Sequence, residues 1–193
     1  MTYLPPDGGT TGSVGDVHTV AEQLSDQASV GGLSTACAGG LLLWGDVGTG
    51  KSFIAGCIAN ALLDKGVPVI MTNFARLLNK LTDMYAGDRN AYIDSFKRYP
   101  LMIIDDLGVE RNSEFAREQV FSVIDSRYRS QLPMIVTTNL TLEELQHPED
   151  LSRSRIYDRV LERCLPIRVN DQNIRELNQA ATFAQAKQLL RST

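Results

Sequence analysis

Apolar runs and helical stripes alternate along this chain. Residues 40–44, Gly40-Leu41-Leu42-Leu43-Trp44, form a continuous apolar run, and a helical pattern follows at 52–63. Lys65-Gly66 supplies a cation and a glycine suited to end that helix. A second strand is predicted at 67–71. Asn73 can then cap a helix reaching about Tyr85, with Phe74, Leu77, Leu78 and Leu81 on one face. The polar stretch Gly87-Asp88-Arg89-Asn90 leads to a short helix ending near Arg98, and Pro100 breaks it. Residues 101–104 read as a third strand. Residues 113–130 read as a longer helix that turns Phe115, Val120, Val123 and Ile124 inward. A fourth strand is predicted at 134–136, and Thr141-Leu142-Glu143-Glu144 is a capping box. A helix at 151–163 and a strand at 166–169 follow. A weak helical pattern occupies 17–30, and a polar terminal helix is predicted from 171 to about 190. Strands that alternate with helices, and read as runs rather than alternations, predict an α/β fold. Its parallel sheet is buried on both sides, with helices on both faces.

Composition narrows the picture. The chain has 193 residues, enough for one well-buried α/β domain and short for two. Residues 1–16 are rich in Gly, Thr and Pro without periodicity and read as a flexible lead-in, leaving 17–193 as the domain. The net charge of -4 argues against a uniformly basic nucleic-acid surface, so any DNA contact must come from a local patch. Cys37, Cys57 and Cys164 lie far apart and give neither metal-ligand spacing nor a disulfide framework, which fits a reducing cytoplasm. No apolar stretch approaches the roughly 20 residues of a membrane span, so no membrane partner is expected. Pro5-Pro6-Asp7-Gly8-Gly9 stands where a signal peptide would be apolar.

The chemistry concentrates at strand ends, where parallel sheets hold their ligands. Gly45-Asp46-Val47-Gly48-Thr49-Gly50-Lys51-Ser52 matches G-x-x-x-x-G-K-[ST] between a predicted strand and a predicted helix. Glycines let successive N–H groups turn inward as an anion nest, and the helix start adds its positive dipole end. This predicts ATP or ADP bound across residues 45–53, from Gly45 through Phe53. Lys51 would reach the β- and γ-phosphates and Ser52 would ligate Mg2+. The strand at 101–104 ends in Asp105-Asp106. Two carboxylates at the end of a buried strand need a cation or solvent. Asp105 is assigned to the magnesium sphere and Asp106 to polarising the attacking water. The strand at 134–136 exits through Thr137-Thr138-Asn139, where Asn139 could orient water or contact the γ-phosphate; an ordinary strand-to-turn exit has the same composition. Arg155 and Arg159 lie four apart on one helical face. Spacing alone favours a solvated basic face paired with Asp158 and Glu162.

Taken in this order, the loop, the acid pair, the Thr-Thr-Asn exit and Arg155-Ile156-Tyr157-Asp158-Arg159 resemble an AAA+ ATPase. More narrowly, they are similar to the DnaC-type replicative-helicase loaders carried by phages and mobile elements. The resemblance covers roughly residues 40–169. It implies a P-loop NTPase AAA+ core with a five-stranded parallel sheet, and nucleotide sandwiched between self-associating subunits. It matches Asn139 to the sensor asparagine and Arg159 to the arginine finger, with Arg155 a second candidate. It also implies the hexameric replicative helicase and single-stranded DNA as partners, with ATP state controlling DNA grip and release from the helicase. Many relatives end the acidic motif in Asp-Glu, and the shorter Asp106 predicts slow hydrolysis. Little or no helical lid is legible after Val169. The family's helicase-binding domain is not visible before Val17, so helicase contact is expected through a domain outside this chain.

Two other functions share the loop. One is a transposition helper ATPase of the IstB type, which has the same core. The other is a small-molecule kinase, for which the basic stretch 111–129 offers no evident acceptor site. Arg76, Lys80, Arg89, Lys97 and Arg98 lie between the second and third strands and are the candidate DNA contacts; solvated helix faces would look the same.

Overall fold

The computed structural model describes residues 2–3, 40–108 and 113–169. The helices expected at 17–30 and 171–190 lie outside the described residues, as does most of the lead-in. The described elements are β1 (Thr2–Tyr3), β2 (Gly40–Trp44), α1 (Lys51–Asp64), β3 (Val69–Asn73), α2 (Phe74–Thr82), α3 (Ala86–Asp94), a 3₁₀ turn (Ser95–Arg98), β4 (Leu101–Leu107), α4 (Glu114–Arg129), β5 (Met134–Thr138), α5 (Leu142–Gln146), α6 (Leu151–Arg163) and β6 (Leu165–Arg168).

The sheet order is β1-β6-β2-β5-β4-β3. The five strands from β6 to β3 are all parallel, and β1 adds a two-residue antiparallel pair to β6. Successive residues on a strand face opposite ways. In β2, β4 and β5 both ways are buried, which is why these strands read as apolar runs. Leu42, Met102, Ile104, Met134 and Val136 enter one core, covered by α2 to α6. Leu41, Leu43, Leu101, Ile103 and Ile135 enter the other, against Ala55, Ile58, Ala59 and Leu62 of α1.

Several boundaries differ from the sequence reading, each for a local reason. The second strand starts at Val69 rather than 67, because the Val67 N–H closes the end of α1 on the Leu62 carbonyl and Pro68 has no N–H to give. Residues 87–90 are helical, not a connecting stretch. Arg89 holds them by donating from Nε to the Leu81 carbonyl (2.8 Å) and stacking 4.8 Å from the Phe115 ring. Phe115 is accordingly half-buried under that guanidinium, and Ala116 takes the core position. The third strand runs on through the acid pair to Leu107. The expected caps are present. Asn73 and Ser113 accept from N–H groups three residues on, and the capping box of Thr141 holds the Glu144 carboxyl below its usual range through two hydrogen bonds.

Among the described residues, the largest fully buried side chain is a charged one, Arg127. Its guanidinium donates to the carbonyls of Tyr99 (2.8 Å), Pro100 (3.1 Å), Phe96 (3.3 Å) and Pro133. These carbonyls precede β4 and β5, so one side chain of α4 ties together the starts of the two strands that carry Asp105 and Thr137 at their far ends. Burial lowers its pKa to about 10, so it remains a cation at neutral pH. Arg127→Met keeps the apolar stem and takes the donor from the Tyr99 and Pro100 carbonyls, while those of Phe96 and Pro133 keep the backbone N–H groups of Tyr99 and Met102. Each orphaned buried group costs about 1–3 kcal/mol. With roughly 2–4 °C lost per kcal/mol at this chain length, a melt should fall by about 10 °C. A shift of under about 2 °C in thermal denaturation would contradict this role.

Candidate functional site

The site is assembled at the carboxyl ends of β2, β4 and β5. Between β2 and α1 the chain makes the loop Gly45–Gly50. Gly48 and Gly50 have φ of 85° and 90°, left-handed values that a Cβ would oppose. Gly50 is the N-cap of α1 and offers no side chain to it. The first-turn N–H groups of α1 are therefore left facing the loop, in the arrangement that favours anions. Thr49 closes the loop on itself, Oγ1 donating to the Asp46 carbonyl at 2.9 Å. Lys51 is buried, and its Nζ lies inside the loop, donating to the carbonyls of Gly45 (2.7 Å) and Asp46 (2.6 Å). Val47 in the loop and Phe53 in the first turn of α1 are exposed, at 59% and 73%.

The next residue joins the loop to the acid pair. Ser52 Oγ donates to Asp105 Oδ1 at 2.8 Å, across 53 positions of sequence. The same oxygen accepts from Thr137 Oγ1 at 2.6 Å. The two residues assigned from sequence to a magnesium ion are thus in direct contact. A hydroxyl and a carboxylate are hard oxygen donors of the kind Mg2+ takes alongside waters and phosphates.

Asp106 owes its position to a β-bulge. Ile104 pairs with Val136 and Leu107 with Thr138, so Asp105 and Asp106 together oppose Thr137. Asp106 adopts φ 60°, a left-handed conformation that aspartate tolerates at a cost on the order of 1 kcal/mol. Its N–H is satisfied by Thr137 Oγ1 at 3.0 Å. One buried threonine hydroxyl therefore serves both acids, donating to the carboxylate of one and accepting from the backbone of the next. Sequence reasoning passed over Thr137 and singled out Asn139, which is exposed just beyond β5. The available signal was its place two residues before Asn139, on the strand paired with β4. Thr138, also buried, donates to the Leu107 carbonyl at 2.7 Å and locks the end of the bulge.

The arginines on α6 are placed differently from each other. Arg155 is exposed. Arg159 is not paired with Asp158 or Glu162, as spacing suggested. Its Nε donates to Asp125 Oδ1 on α4 at 2.8 Å and its Nη1 to the Arg155 carbonyl at 3.1 Å. Asp158 instead accepts from Ser154, and Glu162 from the Tyr128 hydroxyl. Of the candidate DNA contacts, Arg76 and Lys80 are exposed on the outer face of α2. Lys97 pairs with Asp94 at 2.6 Å, Arg98 stacks on Tyr99, and Arg89 is held as described above. Among the described residues no helix is long and apolar enough to cross a membrane.

A family model described as an IstB-like ATP binding protein matches residues 20–182. The chain belongs to this family. Among its relatives are the replicative helicase loader DnaI of Bacillus subtilis, 31% identical over 150 residues, and the replicative helicase loader DnaC of Escherichia coli, 27% identical over 119 residues. These alignments cover 70% and 60% of this chain, which spans only 47% of each relative. A crystal structure of DnaI superposes with a TM-score of 0.64 at 23% identity, covering 82% of both chains. The five parallel strands and their helices are thus the P-loop AAA+ core. The loop, the Ser52–Asp105 contact and the bulge all lie inside the span matched to the IstB-like ATP-binding family.

Proposed function

We propose that this chain is the ATP-binding, slowly hydrolysing AAA+ module of a replicative-helicase loader, with nucleotide state governing self-assembly, single-stranded DNA binding and release of the helicase. The observation that carries the proposal is the 2.8 Å contact between Ser52 and Asp105, which unites the phosphate loop and the acid pair in one site. The family match and the loaders among the relatives support it. In this reading residues 45–53 cradle the nucleotide, and Lys51 turns its ammonium from the loop carbonyls to the β- and γ-phosphates. Ser52 and Asp105 hold Mg2+, which when bound would neutralise charge on the phosphates. Asp106 takes a proton from the attacking water, Asn139 orients that water, and Arg159 acts on the nucleotide of a neighbouring subunit. The hexameric replicative helicase is the partner, and the setting is the cytoplasm. The mode of family membership also favours a second reading, the transposition helper of the IstB type. A pull-down separates them: a loader retains the replicative helicase, whereas a helper retains a transposase.

The hydrolytic assignment is tested at Asp106. Asp106→Asn keeps the shape of the bulge and removes the base. ATP affinity should stay at the parental value while hydrolysis slows by roughly 10²-fold or more, the usual contribution of a positioned general base. Hydrolysis at the parental rate would contradict the role given to Asp106.

A further inference from the structure

Asp125 lies on α4, 34 residues before the arginine it meets. It holds two guanidinium groups, Arg159 Nε on Oδ1 at 2.8 Å and Arg129 Nε on Oδ2 at 2.9 Å. The two contacts are unequal. Arg129 is 77% exposed, so water screens its pair and leaves it worth little, whereas Arg159 is 26% and Asp125 14% exposed. The Arg159 guanidinium is also stacked 4.5 Å from the Phe121 ring and 5.5 Å from that of Tyr128, both on α4. With Nη1 on the Arg155 carbonyl, the group is fixed by an ion pair, a backbone acceptor and two aromatic faces. Only Nη2 has no partner among the described residues. A free arginine loses much of its rotamer entropy when it is immobilised on a ligand. Here the chain has met most of that cost before any phosphate arrives.

We infer that Asp125 is the positioning residue for Arg159: with Phe121 and Tyr128 it sets the guanidinium in place on α4, leaving Nη2 to meet the terminal phosphate of a nucleotide on an adjoining subunit. The inference rests on the reading of Arg159 as a group acting between subunits. It adds that the donor is built by α4, and that an ordered Arg159 requires Asp125. Asp125 itself touches no nucleotide.

The test is a double-mutant cycle on the whole chain. ATP turnover is measured across protein concentration, and self-association with a non-hydrolysable ATP analogue is followed by sedimentation velocity. Asp125→Ala should lower turnover per protomer at high concentration by at least tenfold and weaken analogue-driven assembly, with ATP affinity unchanged. Asp125→Asn, which still accepts from Nε, should fall between it and the parent, and it serves as the test if Asp125→Ala melts early. In an Arg159→Ala background, either substitution should produce no further loss, because Asp125 acts only through Arg159. An undiminished loss in that background would show a structural role and overturn the inference. So would parental or raised turnover in Asp125→Ala and Asp125→Asn while Arg159→Ala is impaired. A parental protein whose turnover and sedimentation ignore concentration would overturn the underlying reading of Arg159, and this inference with it.

Discussion

Lys51→Ala should weaken ATP binding by an order of magnitude or more, equivalent to at least about 1.4 kcal/mol. The ammonium is buried in the loop, with two carbonyls as acceptors, so it is already desolvated and close to where phosphates would sit. A cation in such a place interacts with anionic oxygens far more strongly than one in bulk water. Removing it has a second consequence, since the carbonyls of Gly45 and Asp46 lose a donor and the loop is left less firmly shaped. The two effects separate by experiment. Calorimetry with ATP reads the binding loss, and a thermal melt without nucleotide reads the loosening. Unchanged affinity would mean that this loop does not cradle phosphate.

Arg159→Ala should abolish any rise of ATP turnover with protein concentration while leaving the nucleotide affinity of an isolated protomer intact. A guanidinium stays charged under all ordinary conditions and presents a planar fork suited to phosphate oxygens. Supplied from a neighbouring subunit, such a group accelerates phosphoryl transfer by roughly 10³–10⁵-fold. Mixing Arg159→Ala with Lys51→Ala protein should restore part of the activity. In a mixed pair the first supplies an intact loop and the second an intact arginine. Parental turnover in Arg159→Ala alone, with no restoration in the mixture, would leave Arg159 as no more than the α4–α6 tie that its contact with Asp125 makes it.

The strands and their order of appearance were legible because burial on both faces leaves an unmistakable mark. The runs Leu41-Leu42-Leu43 and Leu101-Met102-Ile103-Ile104 have no solvent side to alternate toward. The loop was legible because its chemistry demands glycines and a lysine at fixed intervals. What could not be read depends on contacts distant in sequence. Helix α3 forms over Gly87-Asp88-Arg89-Asn90 because Arg89 is held by Leu81 and Phe115, which tertiary packing supplies and local propensity does not. Arg127 looks like one more cation at a helix end, yet it is buried under four carbonyls from two other segments. Thr137 is an ordinary strand residue until the bulge at Asp105-Asp106 sets both acids against its hydroxyl. The partner of Arg159 was sought within its own helix and lies on another, because α4 and α6 pack side by side.

The claim on which the account turns is that Ser52 and Asp105 jointly serve a magnesium-bound nucleotide held by the loop. Titration calorimetry of the parental protein and of Asp105→Asn with ATP, each with magnesium and with a chelator, tests it most directly. The parental protein should bind one ATP per chain, several-fold or more tightly with magnesium than without. Asp105→Asn should still bind ATP through the loop and lose most of the magnesium benefit. Absence of ATP binding by the parental protein, or a magnesium benefit that survives intact in Asp105→Asn, would contradict it.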